Sequence, residues 1–142
     1  MIVENPDSTP KYVEFYLEKL RSGEFEAAFH GLTEAGHSVI PRLVDVFRQE
    51  RSPSVRAELV NIIWNHRRPE AVGFLAEALN DLDPKVWKSA LDGLVTLASA
   101  TALQILQAAS GRKFESKKQA EEFHRWVSEA ITQVREAMIS SG

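Results

Sequence analysis

The sequence predicts an all-α fold assembled from repeated helix pairs, and three observations predict it. The stretch Ser52 to Asn65, SPSVRAELVNIIWN, returns one unit later as Asp83 to Thr96, DPKVWKSALDGLVT. Pro53 and Pro84 lie 31 residues apart, and the same offset carries Val55 to Val86, Leu59 to Ala90, Val60 to Leu91 and Ile63 to Leu94. A period in this range marks stacked supersecondary units. Apolar residues recur at helical intervals, and no alternating apolar run bounded by turns appears, so strand signals are lacking. Helix-starting polar residue and proline pairs, with glycines at helix ends, punctuate the chain where the repeat needs them.

The offset extends in both directions. Leu59, Val60 and Ile63 fall on Ala28, Phe29 and Leu32, and Pro41 falls on Pro10. Ile40, Leu43 and Val44 fall on Ala71, Phe74 and Leu75, and Ala71 and Val72 fall on Ala102 and Leu103. Each unit is therefore a helix pair. A single domain over residues 1–142 is expected, with a lead of residues 1–8 and pairs at 9–36, 38–66, 69–99 and 101–140. Past Ala109 the register breaks at GRKFESKK, and an apolar stripe of Phe123, Trp126, Val127, Ala130, Ile131 and Val134 follows. This last pair reads as a modified capping unit, because a terminal repeat must turn one polar face to water.

Taken in order, Thr9 and Pro10 read as N-cap and first position of a helix carrying Val13, Leu17 and Leu20 inward and ending at Ser22-Gly23. Glu24 to Ala35 opens with carboxylates at the positive end of its dipole and stops at Gly36. Ser38 caps the third helix, with Pro41 in its first turn, and the helix ends near Glu50. Ser52-Pro53 starts the fourth, to about His66, and Arg68-Pro69 leads into Glu70 to Asn80. Asp83-Pro84 starts the sixth, to about Ser99; Thr101 caps the seventh, which Gly111 closes. The last runs from Ser116 to Ile139 into a frayed Ser-Ser-Gly tail.

The pattern Val39-Ile-Pro-x-Leu-Val, a short turn, then Asp83-Pro-x-Val and an alanine- and leucine-rich helix resembles HEAT-type repeats over roughly Pro10 to Ala109. The resemblance implies a short right-handed α-solenoid, an α-α superhelix, of about four helix pairs. Its known members include scaffolds, inhibitors, lyases and a few nucleic-acid enzymes, so it is specific for fold and not for function. One departure is visible: the arginine expected after the motif valine is Arg56 in one unit but Trp87 in the next, which breaks a regular arginine ladder.

At 142 residues, 44% hydrophobic and 26% charged, the chain has the make-up of one ordinary globular domain. The absence of cysteine excludes disulfides, thiolate metal sites and cysteine nucleophiles. No apolar run is long enough to span a bilayer and no secretory leader is recognisable, so a cytoplasmic location and no membrane partner are expected. A net charge of −3 speaks against a general nucleic-acid binder. The charge is uneven: Glu4, Asp7, Glu14, Glu18, Glu24, Glu26 and Glu34 face only Lys11, Lys19 and Arg21, whereas Arg51, Arg56, Arg67 and Arg68 face only Glu58. Such asymmetry orients a charged partner, although solvated helix faces account for it as well.

In a solenoid the second helices of successive units align, and their polar residues form rows across one side, usually the concave one. Here the rows are Ala27, Glu58 and Ser89; His30, Asn61 and Asp92; and Glu34, Asn65 and Thr96. Positions 58, 61 and 65 share one helix face. Together with Lys85 and Trp87, this makes the candidate partner-binding set His30, Glu34, Glu58, Asn61, Asn65, Lys85, Trp87, Ser89 and Asp92. Trp87 has two readings, core packing against the adjacent unit or a partly exposed anchor flanked by Lys85 and Lys88. Trp126 falls in the apolar stripe and reads as core, and Trp64 could pack between units.

Catalytic signatures are absent. His30, His37, His66 and His124 are scattered, without HExxH or ligand spacing, so no metal or cofactor is expected; His37 and His66 read as local hydrogen-bonding or dipole partners. Glu24 with Glu26 and Glu121 with Glu122 do not converge on a helix, and neither phosphate loops nor GxSxG occur. Arg112, Lys113, Lys117 and Lys118 form a basic break that reads as a solvated turn. The expectation is thus a non-enzymatic module binding another protein on its second-helix face, an immunity or antitoxin protein occluding a basic nuclease-like toxin. The alternatives are an adaptor or scaffold subunit, and an enzyme on the same scaffold such as a DNA-repair glycosylase or bilin lyase.

Overall fold

Prolines head the repeats because the first helical position has no intrahelical partner for an N–H, and a ring-fixed φ is already helical there. In the computed structural model, which describes residues 10–141, Pro53, Pro69 and Pro84 each occupy the first residue of a helix. Eight α-helices follow one another among the described residues: α1 (Lys11–Arg21), α2 (Phe25–Thr33), α3 (Ile40–Gln49), α4 (Pro53–Asn65), α5 (Pro69–Leu79), α6 (Pro84–Leu97), α7 (Ala100–Ala109) and α8 (Lys117–Ser141). No strand occurs among them. Ser52 and Asp83 cap as expected: the Ser52 hydroxyl accepts from the Val55 amide at 3.3 Å and the Asp83 carboxylate from the Lys85 amide at 2.8 Å.

Several boundaries differ from expectation. Pro10 sits at the N-cap, outside α1, so the helix begins one residue later; Thr9, the lead of residues 1–8 and Gly142 lie outside the described residues. Ser38 caps nothing, because a 3-10 turn, His37–Val39, leads directly into α3. Ser99 rather than Thr101 caps α7, its hydroxyl accepting from the Ala102 amide at 3.0 Å. The backbone of α8 continues through Ser140 and Ser141, where fraying was expected.

α2, α4, α6 and α8 lie side by side in chain order as one layer, and each packs against the first helix of its own pair. α5 touches α3 on one side and α7 on the other in the second layer. This is the all-α solenoid that the repeat predicts. Leu17, Leu32, Leu43, Leu59, Ile63, Leu75, Leu94, Leu106 and Phe123 are fully buried between the layers in one continuous core. Burial of each such side chain contributes about 1.5–3 kcal/mol.

Two glycines let aromatic rings approach a helix backbone. A Cβ on Gly93 of α6 would sit 2.7 Å from the Trp64 ring, and one on Gly31 of α2 would sit 2.4 Å from the Tyr16 ring. Trp64 therefore packs between units, as its position implied.

The arginine ladder is present in altered form. The Arg56 guanidinium donates to the carbonyls of Phe47 and Glu50, both at 3.0 Å, and to the Asp81 carboxylate, and it lies 4.2 Å from the Phe47 ring centroid. One unit on, Trp87 is 3% exposed and stacks edge to face on Phe123 at 5.1 Å. The guanidinium of that unit comes from Arg112, in the loop before α8, which donates to the carbonyls of Leu79 at 2.8 Å and Asp81 at 3.0 Å. Arg112 is half-buried against Phe114 and Phe123, so it is a structural residue and not part of a solvated turn.

Candidate protein-binding face

The layer α2, α4, α6 and α8 carries the rows read from the sequence. His30 is exposed on α2 and Glu34 just past its end, Glu58, Asn61 and Asn65 are half-buried on α4, and Asp92 is exposed on α6. Two of the predicted residues are not available on this face as partner contacts. Trp87, for which a partly exposed anchor was one reading, is buried because α8 closes over it with Phe123 and Trp126. Ser89 is 8% exposed, one of the buried residues of α6. Lys85 is exposed near the start of α6, where its ammonium reaches the Ser54 hydroxyl at 3.5 Å.

The α4 stretch is locally ordered by its own polar groups. Trp64 donates its indole N–H to the Asn61 side-chain oxygen at 3.2 Å, and Asn65 donates to the Asn61 carbonyl at 2.7 Å. Glu58 is raised above the usual carboxylate range because burial disfavours its charge, which a hydrogen bond from Asn61 only partly offsets. Asp92 is raised too, by desolvation alone. Among the described residues neither carboxylate pairs with a lysine or arginine, whereas Glu14, Glu50, Glu77, Asp81 and Glu122 each do.

Sequence reasoning missed one member of this face. Trp126 was assigned to the core, yet it is 37% exposed, with the Lys88 ammonium 4.7 Å from its ring centroid. With Asp92, Glu129 and Gln133 it lines a groove of about 380 Å³ between α6 and α8. The missing signal is geometric: α8 lies outside the repeat, so the offset could not predict which side of its stripe meets α6.

His66 ends α4, and its Nε2 meets the Leu32 carbonyl at 3.1 Å, tying the second unit to the first. Burial, more than the proximity of His37, holds its pKa below the ordinary histidine value. No cluster of three histidine, aspartate or glutamate side chains suited to a metal forms among the described residues. No helix among them is long and apolar enough to cross a membrane.

Stacked helix pairs with one polar second-helix face define an α-solenoid. The family model described as HEAT repeats matches residues 40–122, more than half of the chain, and the chain belongs to the HEAT repeat family. No curated protein and no solved structure matches it. HEAT repeats generally mediate protein–protein interaction, and the family typically serves as a non-enzymatic scaffold.

Proposed function

We propose that the protein acts without turnover, by binding a basic protein on the face formed by α2, α4 and α6, in the manner of an immunity or antitoxin protein that occludes a nuclease-like toxin. The observation that carries this reading is the pair Glu58 and Asp92. Glu58 is half-buried and Asp92 stands at the α6–α8 groove, both are raised by desolvation, and among the described residues neither forms an ion pair with a lysine or arginine. Leaving a carboxylate so placed costs stability, and a cation supplied from outside recovers it. Glu26 on α2 and Glu34 just past its end add a field of the same sign that would speed encounter with a basic surface.

The test is direct. The protein is mixed with basic nuclease toxins and complex formation is followed by size-exclusion chromatography, together with nuclease inhibition. A complex that weakens steeply with salt and is lost in Glu58→Gln supports the reading. Absence of any complex and of any inhibition removes the toxin assignment, and recovery of a stable housekeeping assembly from the native host would place the protein among adaptors.

A further inference from the structure

The grooves of the molecule differ in whether their charges are already satisfied. One, about 600 Å³, is lined by Arg48, Arg51, Arg56, Glu77 and Asp81, and most of these pair with one another across it. The groove between α6 and α8 is different. Leu91, Val95 and Ala130 give it an apolar floor, Trp126 stands in it as a partly exposed ring, and Asp92 and Glu129 line it without an ion pair among the described residues. Its volume of about 380 Å³ is near the lower end of ligand pockets, about 300–1,000 Å³, and so suits a single long side chain better than a cofactor.

The chain itself shows which side chain such a combination holds. Arg56 lies 4.2 Å from the Phe47 ring centroid and pairs with Asp81. Arg112 lies 4.3 Å from that of Phe114, with Phe123 beside it, and is bonded to the backbone of Asp81. In both places a guanidinium rests on an aromatic ring and points its N–H groups at oxygen acceptors. The α6–α8 groove presents the same parts, an indole and carboxylates over an aliphatic floor. Lys88, one turn before Asp92, cannot complete the set from its present position, because Glu122 holds its ammonium at 3.0 Å against Trp126. That contact shows that the indole accepts a cation, and it leaves the groove's own carboxylates, Asp92 and Glu129, without one among the described residues.

We infer that this groove receives an arginine side chain from a basic partner protein, its stem on Leu91, Val95 and Ala130, its guanidinium against Trp126 and bonded to Asp92 and Glu129. Arginine fits better than lysine because its planar, weakly hydrated head stacks on aromatic rings and can engage a carboxylate through two N–H groups. A lysine ammonium would give up more hydration in so partly dry a slot. The inference rests on reading this layer as a protein-binding surface and names the anchor at its α8 end.

The probe is N-acetyl-arginine amide, titrated into 15N-labelled protein with the lysine analogue and the neutral citrulline analogue as controls. The expected result is a saturable shift of the Trp126 indole N–H, assigned with Trp126→Phe, strongest for the arginine analogue. Asp92→Asn, checked for native circular dichroism, should weaken binding about tenfold, the factor that losing one charge-assisted hydrogen bond carries. A response no stronger to arginine than to citrulline or lysine overturns the assignment, as does one unchanged in Asp92→Asn and in Glu129→Gln. These outcomes concern the groove alone. Complex formation by wild type and Glu58→Gln tests the surface as a whole, so a failure of the groove is distinguished from a failure of the reading it rests on.

Discussion

Arg112 does the work that Trp87 cannot: it approaches from the loop before α8 and bonds the carbonyls of Leu79 and Asp81, while Trp87 fills the repeat position that Arg56 holds one unit earlier. Asp81 is thereby held from two sides, its carboxylate by Arg56 and its carbonyl by Arg112. Replacing Arg112 by alanine leaves two carbonyls short of a charged donor and exposes parts of Phe114 and Phe123. The expected loss is about 2 kcal/mol, read from urea denaturation. Arg112→Lys should recover less than half, since one ammonium cannot span both carbonyls and stack as well. Because Arg56 and Arg112 share Asp81, the double alanine variant should be non-additive.

The glycines separate close approach from mere flexibility. Gly93→Ala drives a methyl group into the Trp64 ring and to within 3.0 Å of Leu75, and should cost about 1–3 kcal/mol. Gly31→Ala, against Tyr16, should behave alike. Gly73, in the middle of α5, has nothing within 4 Å of its added Cβ, so Gly73→Ala should stabilise by about 0.5–1 kcal/mol through helix propensity. Thermal melts of the three variants check the ordering, and a stabilised Gly93→Ala would contradict the packing described for Trp64.

Ala98 ends α6 with φ +41° and ψ +51°, a left-handed conformation at a position where helices usually place glycine. Relief of the Cβ clash in Ala98→Gly outweighs the extra freedom of glycine in the unfolded chain, and a gain of about 0.5 kcal/mol is expected. Differential scanning calorimetry of this single variant is enough.

Much of this architecture was legible in the residues. The offset linking Pro53 to Pro84 identified α4 and α6, the caps Ser52 and Asp83 located their starts, and Gly36 marked the end of the first pair at a φ of +87°. What escaped depended on relations the offset does not carry. Ser99 and Thr101 are both capping residues two positions apart, and only backbone geometry chooses between them. Between its two readings Trp87 took the buried one, and Trp126, read as core, stands partly exposed, because α8, which covers one and leaves the other at the groove, follows no repeat. Arg112 finds its partners at the end of α5 and in the loop after it, over thirty residues upstream, a contact invisible to local pattern. The rows on α2, α4 and α6 were readable, but which carboxylates are desolvated depends on how the helices crowd one another.

His66 gives the stability a pH dependence. Burial depresses its pKa in the folded state below the ordinary 6.5, so the unfolded chain takes up the proton first as pH falls. The contribution of His66 is fully present above pH 6.5 and is lost as pH drops through the lower, folded value. His66→Gln, which can still donate to the Leu32 carbonyl, should flatten this part of the profile. Denaturant midpoints measured from pH 7.5 to 5 would refute the assignment if the variant and the wild type fell in parallel.

Glu58 and Asp92 have the opposite sign, and this makes them the sharpest test of the proposed face. Their raised pKa values mean that the folded state binds protons more readily than the unfolded chain, so their contribution is most favourable at acid pH and diminishes as pH rises through the folded values. At neutral pH each carboxylate is charged in surroundings that do not suit it. Glu58→Gln and Asp92→Asn should therefore leave stability at pH 7 unchanged or slightly higher, while the pH dependence between 4 and 7 becomes shallower, both estimates following from the linkage of proton binding to folding. For residues with only a structural role, neutral or improved folding would be the whole story. For residues kept to meet a partner's cations, the same two variants should lose about tenfold or more in affinity for a basic protein, since an interfacial charge pair is broken. Calorimetric titration and thermal melts on one preparation decide it: variants that fold as well as wild type and also bind as well would leave the two carboxylates without the role assigned to them.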